Sequence, residues 1–130
     1  LSGRETNDRM PKYYYLNFKK DYKKYLINTN KQNKKILFLG LTFKKNVSDF
    51  RNSKSIEFLK YLKKDFEIDI CDPVIDNINL SYEYNFKLKK LNNLNLSHYS
   101  AIIFAVKHDK FRKIEKLLIN KKIFRFDIEK

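Results

Sequence analysis

The stretch Ile36-Leu37-Phe38-Leu39-Gly40-Leu41-Thr42-Phe43-Lys44-Lys45-Asn46-Val47-Ser48-Asp49-Phe50-Arg51-Asn52-Ser53 decides the fold. Four apolar residues run into a glycine, a polar segment follows, and Ile56, Leu59 and Leu62 then recur at helical spacing with Phe58 and Tyr61 widening the stripe. A buried strand that passes through a polar loop into a helix is the βα connection on which α/β proteins place ligand groups. Ser53 or Asn52 supplies the side-chain oxygen that caps the helix.

The remaining chain continues the alternation. Phe66 to Cys71 reads as a second strand closed by Asp72-Pro73, and Val74 to Leu80 as turn. A short strand near Phe86 to Leu88 is expected, with a short helix after it. Ala101 to Val106 is apolar throughout, as expected of a strand buried on both faces of a parallel sheet. A helix over Asp109 to Leu118 and a strand over Ile123 to Phe126 complete the pattern. The fold class is therefore α/β, a three-layer Rossmann-like domain with a mostly parallel sheet. Upstream, Arg4 to Leu26 reads as a helix with Tyr14, Phe18, Tyr22 and Tyr25 on one stripe, begun or kinked at Pro11. The polar linker from Asn28 to Lys35 sets it apart as an appendage, which divides the chain into 1–30 and 31–130.

The loop suits an anionic, ring-bearing ligand. Phe43 offers a flat face, Lys44 a mobile point charge, and Arg51 a planar fork that pairs two oxygens of a carboxylate or phosphate. Asp49 is placed to orient either cation. A dinucleotide fingerprint needs three glycines at fixed spacing, whereas Gly3 and Gly40 are the only glycines of the chain. Asp72 lies 32 positions beyond Gly40 (72 − 40), rather than the roughly 20 that place an acidic residue on a ribose, and reads as a turn residue.

Length and composition narrow the field. With 130 residues and 42% hydrophobic content, the chain buries the core of one ordinary domain. No run reaches the roughly 20 apolar residues that cross a bilayer, so no membrane partner is expected. Cys71 is the single cysteine, which excludes an internal disulfide and a cysteine-rich zinc site, and it reads as a core thiol. The net charge of +14, from 29 basic and 15 acidic residues, raises nucleic acid as a partner. The chain's wealth of Lys, Asn, Ile, Phe and Tyr, whose codons are rich in A and T, offers a second cause for that charge, and nucleic acid is not the expected partner.

The segment Gly40, Leu41, Thr42, Phe43, Lys44, Asn46, Asp49, Arg51, Ser53 resembles the G-[LF]-[TA]-F-K-x-[ND]-x-x-D-x-R-x-S motif of the UDP-glucose/GDP-mannose dehydrogenase family, in its carboxy-terminal nucleotide-sugar-binding domain. Gly3-Arg4 with Asn7-Asp8 and Met10-Pro11, then Asp72-Pro73, then Ala105 to Phe111 fall in the family's order, so the resemblance spans nearly the whole chain. It implies an NAD-dependent enzyme that oxidises the C6 alcohol of a UDP-sugar to the uronate through an upstream cysteine. NAD is then held by an amino-terminal domain, and this chain, which opens at Leu1, reads as a fragment that binds substrate and does not catalyse. The segment from Val106 to Phe111 looks closer to the bacterial N-acetylhexosamine enzymes.

The resemblance places Lys44 in the nucleotide-sugar pocket, and Phe43, Arg51 and Arg4 join it as candidate substrate-binding residues with Asp49 as loop support; Asp49 and Arg51 alternatively form an ion pair that staples the loop, and no catalytic, cofactor or metal residue is expected in the chain. Phe43 either walls the pocket or plugs the strand end. Arg4 reaches either a substrate phosphate or only the helix surface. His108 beside Asp109 invites a general-base reading, but adjacent loop residues seldom face each other, and Asp109 suits a helix N-cap. Asp127-Ile128-Glu129-Lys130 departs from the family, placing Glu129 where a basic residue is common. The family further implies a homodimer built around the opening helix and a role in polysaccharide biosynthesis, while the lack of an apolar segment like that of a signal peptide at the amino terminus makes a cytoplasmic location the expectation. Two other readings remain open, a basic α/β module for nucleic acid and a regulatory domain sensing another nucleotide.

Overall fold

The computed structural model describes residues 3–29, 35–51, 53–75, 84 and 86–128, with backbone alone for 3–9. Helix α1 spans Gly3–Thr29 and strand β1 Ile36–Leu39, followed by α2 over Lys54–Lys63 and β2 over Ile68–Cys71. Two short 3-10 turns, Leu91–Asn93 and Leu96–His98, precede β3 at Ala101–Phe104. A third, Asp109–Phe111, leads into α3 at Arg112–Leu118, and β4 follows at Phe124–Asp127.

The four strands form one all-parallel sheet in the order β2-β1-β3-β4, with Ile36 level with Ile68 and Ala101, and Ala101 level with Phe124. Strand alternation sorts side chains to two faces. Ile36, Phe38, Ile70, Ala101 and Ile103 pack with Ile56, Phe58, Leu59 and Leu62 of α2 and Phe18 and Tyr22 of α1. Leu37, Leu39, Cys71, Ile102 and Phe104 pack with Leu96, Tyr99, Phe111 and Ile114 on the other face. Both faces are thus covered, and the three-layer α/β architecture is as expected from the unbroken apolar runs.

Helix α1 corrects the expectation of an appendage. Phe18 and Tyr22 are fully buried, the Phe18 ring meets Tyr22, Phe66, Phe124 and Phe126, and the Tyr22 hydroxyl shares a hydrogen bond with the Ser100 hydroxyl. The aromatic stripe is spent on the chain's own sheet, beside α2, and not left over for a partner. Pro11 lies inside the helix and does not begin it. Most of the polar linker lies outside the described residues.

Other boundaries shift for physical reasons. Phe66 is not strand but packs under α1, so β2 begins at Ile68. Near Phe86 to Leu88 there is a single parallel bridge, Leu88 to Ile70, because Tyr84 and Phe86 stack on each other at 5.4 Å and fold onto the core. After it come the two 3-10 turns in place of one helix. Ser53 is the N-cap of α2, accepting from the Ile56 amide at 3.4 Å, while Asn52 and residues 76–80 lie outside the described residues.

Candidate functional site

The sheet order makes β1 and β3 the pair at which the chain reverses direction across the sheet, and ligands in open α/β sheets bind outside the carboxyl ends of the strands at that point. Two loops meet there, 40–53 after β1 and 105–111 after β3. Gly40 has φ of +98°, and a Cβ at that position would lie 2.7 Å from Cβ, N and O of Val106. The glycine is therefore required for the close approach of the two loops.

The β1 loop is tied at both ends. Its Phe43 amide donates to the Asp49 carbonyl at 2.7 Å, and the Ser55 hydroxyl donates to the Gly40 carbonyl. Asp49 accepts from the Arg51 amide and Nε, each at 3.0 Å on Oδ1, and from Nη2 at 3.0 Å on Oδ2. Arg51's hydrogen bonds to Asp49 hold that carboxyl below its ordinary range. The Asp49–Arg51 fork is thus engaged within the loop, with the Arg51 side chain largely exposed. Leu41 and Phe50 fill the strand end, so Phe43 does not plug it; Phe43 is 62% exposed. Lys44 and Lys45 are exposed beside it. Lys45 pairs with Asp109 at 3.0 Å, whereas among the described residues Lys44 has no ion-pair partner.

Beneath this tip lies a buried polar network that the sequence did not disclose. Asp72 Oδ2 accepts from the Leu41 amide at 2.7 Å and from His108 Nε2 at 3.0 Å, and its Oδ1 accepts from the amides of Val74 and Ile75 at 2.9 and 3.3 Å. His108 Nδ1 lies 2.9 Å from the Asn46 amide, which only donates. Nδ1 is therefore the acceptor and Nε2 carries the proton, shared with Thr42 Oγ1 at 3.3 Å. The Thr42 hydroxyl in turn donates a hydrogen bond to the Lys44 carbonyl at 3.0 Å.

His108 thus faces Asp72 and not its neighbour Asp109. Asp109 is not the expected N-cap either: it opens the 3-10 turn, and its carboxylate takes Lys45, the Asn46 side-chain amide and Arg112. Lys45 foremost, then Asn46, holds that carboxyl below its ordinary range. The turn role expected of Asp72 is met through Val74 and Ile75, but half of its carboxylate serves His108. The usable signal was topological: polar residues at the ends of β2 and β3 converge on Thr42 once β1 lies between those strands.

Other expected residues fall outside this constellation. Backbone alone is described at Arg4, and Glu129 lies outside the described residues. Cys71 is buried at the end of β2, and burial, with Asp72 beside it, pushes its thiol up to about 12. No group of three His, Cys, Asp or Glu suited to a metal ion occurs among the described residues, and none of their helices is long and apolar enough to cross a membrane.

The residues present do not fit a dinucleotide. The loop from Gly40 to the α2 cap is long where a pyrophosphate turn is tight, Gly40 is consumed by the Val106 contact, and Asp72, at the end of β2 where a ribose ligand would sit, is buried and fully bonded.

Residues 37–129 match the UDP binding domain of the UDP-glucose/GDP-mannose dehydrogenase family, and the chain belongs to that family. It is 36% identical over 115 residues to UDP-N-acetyl-D-glucosamine 6-dehydrogenase of Salmonella typhi, covering 88% of this chain and 26% of that protein. It is 30% identical over 115 residues to UDP-N-acetyl-D-mannosamine dehydrogenase of Methanococcus aeolicus, covering 88% and 24%. The chain spans about a quarter of the length of the curated relatives it matches. Its fold is shared with UDP-N-acetyl-mannosamine dehydrogenase of S. aureus, with a TM-score of 0.62 and 19% identity over 97% of this chain and 32% of that one. It is likewise shared with UDP-D-ManNAc dehydrogenase of Pyrococcus horikoshii, with a TM-score of 0.62 and 22% identity over 98% and 29%.

Proposed function

We propose that this chain is the substrate-gripping part of an NAD-dependent UDP-N-acetylhexosamine 6-dehydrogenase, holding the nucleotide half of the sugar nucleotide on the 40–53 loop. The observation that carries the proposal is the pairing, at the carboxyl edge of β1, of an exposed aromatic ring with an exposed ammonium that has no ion-pair partner among the described residues. A uracil ring stacks on Phe43 and the diphosphate takes Lys44, with Arg51, which also holds Asp49, as a further anion contact. Arg4 is a further phosphate contact in this reading. The oxidation itself, from C6 alcohol to carboxylate, uses NAD and a cysteine that this chain does not supply, since Cys71 is buried and protonated.

The same reading carries a cytoplasmic location, a part in polysaccharide biosynthesis and a homodimer. With Phe18 and Tyr22 turned inward, a dimer through α1 would use Tyr13, Leu16 and Ile27, which stay exposed. Ligand-dependent melting tests the central claim, because a ligand that binds only the native state raises the melting temperature by mass action. UDP or a UDP-sugar, taken to millimolar concentration, raises Tm more than NAD does. A larger shift with NAD, or a shift with any polyanion including RNA that UDP does not match, refutes it.

A further inference from the structure

We infer that His108 is a positioning residue for the nucleotide-sugar loop, acting through hydrogen bonds that grip the two peptide groups flanking Lys45, immediately after Lys44. The inference rests on the reading of that loop as the ligand site.

Lys44 sits at an exposed loop tip. Its backbone is fixed from below. The Thr42 hydroxyl donates to the Lys44 carbonyl at 3.0 Å, and that hydroxyl is oriented because its oxygen faces the His108 Nε2 proton at 3.3 Å. Two residues on, the Asn46 amide donates to His108 Nδ1 at 2.9 Å. One imidazole therefore sets the two peptide planes that flank Lys45, the first of which carries the Lys44 carbonyl. Asn46 has φ of +61°, a left-handed conformation that an L-residue adopts at a cost, which the loop meets with this bond and with a reciprocal pair between its side chain and Asp109.

Asp72 completes the device. Its carboxylate, fully buried like the imidazole, holds the Nε2 proton and so leaves Nδ1 as the acceptor that Asn46 needs. The Phe111 ring, 5.4 Å from the imidazole, encloses it within its own loop. A histidine kept in one tautomer, linking the ends of β2 and β3 to the loop after β1, does more than pack: it determines where the Lys44 charge stands relative to the edge of the sheet.

Two substitutions separate the halves of this role. A glutamine amide nitrogen occupies the region of Nε2 and an asparagine amide oxygen that of Nδ1. His108→Gln keeps the bond to Asp72 and loses the Asn46 amide, whereas His108→Asn is the conservative variant that keeps the Asn46 amide. Both are expected to lower Tm. Calorimetry with UDP is expected to show affinity falling about ten-fold in His108→Gln and largely recovered in His108→Asn. Hydrogen exchange at the Asn46 amide speeds up only in His108→Gln. Thr42→Val, which keeps shape and removes the hydroxyl, weakens UDP binding in the same direction and serves if His108→Gln does not fold. Weaker binding in Lys44→Ala beside unchanged binding in His108→Gln, or unchanged binding in Thr42→Val, overturns the positioning role alone. Equal losses in the Gln and Asn variants overturn it too. A wild-type chain that does not bind UDP refutes the functional reading and takes this inference with it.

Discussion

Gly40→Ala tests whether β1 and β3 approach as closely as the ligand site requires. The backbone at Gly40, with φ of +98°, is one that an alanine adopts at a cost of about 1–2 kcal/mol. The new methyl would also stand 2.7 Å from Cβ, N and O of Val106. Two of those atoms are backbone, and the Val106 and Ala105 amides are pinned to the Leu39 carbonyl at 3.2 and 2.9 Å, so relief requires moving the end of β3. Overpacking of this kind costs about 1–3 kcal/mol, for a total of about 2–5 kcal/mol. At about 2.1 cal/mol/K of unfolding entropy per residue, this chain loses about 7–18 °C in Tm. Urea denaturation followed by circular dichroism measures the change, with an unchanged slope showing that the midpoint shift is a change of stability. A loss below about 1 kcal/mol at constant slope refutes the contact between the two loops, and with it the geometry on which the site rests.

Phe18→Ala should cost about 3–5 kcal/mol by denaturant unfolding, because α1 is part of the core; an independent appendage would give a loss near zero. Cys71, buried and with its thiol pushed up to about 12, should resist thiol reagents in the native protein at pH 8 and react only at the rate of unfolding. Asp127 is raised by burial, but the hydrogen bonds from Arg125 and Lys107 outweigh this and hold its carboxyl below the ordinary 3.8. A depressed folded value means the ion pair stabilises fully above the unfolded value and is lost as pH falls through the folded one. Asp127→Asn should therefore flatten the loss of stability below about pH 4, read by urea midpoints across pH. Lys44→Ala should reduce the UDP-induced rise in Tm while leaving the Tm of the free protein near that of the wild type, since its side chain is exposed.

What the sequence made legible follows from how each element is buried. β1 and β3 lie in the middle of the sheet with both faces covered, so Ile36–Leu39 and Ala101–Phe104 read as unbroken apolar runs. The strand expected near Phe86 fails because at the sheet edge an aromatic pair gains more by stacking on the core than a short ladder returns. α1 was misread as an appendage because a polar linker marks separation along the chain, while Phe18 and Tyr22 find their partners on β4, about a hundred residues later.

The candidate site divides in the same way. Phe43, Lys44, Asp49 and Arg51 were visible because one loop carries them, and a local motif is read locally. Asp72 and His108 were each weighed against the wrong partner, the first against a ribose and the second against Asp109, since their true contact spans 36 residues. That contact explains a difference of chemistry within one topology. In a dinucleotide fold the acidic side chain after β2 faces a ribose across the crevice. Here a histidine after β3 turns it inward, and its proton and the Leu41 amide occupy the carboxylate, while the exposed ring and ammonium stand at the tip of the long β1 loop. The same strand order that serves a cofactor elsewhere thereby exposes a cation and an aromatic ring at its edge, the two groups on which the proposed grip of a sugar nucleotide rests.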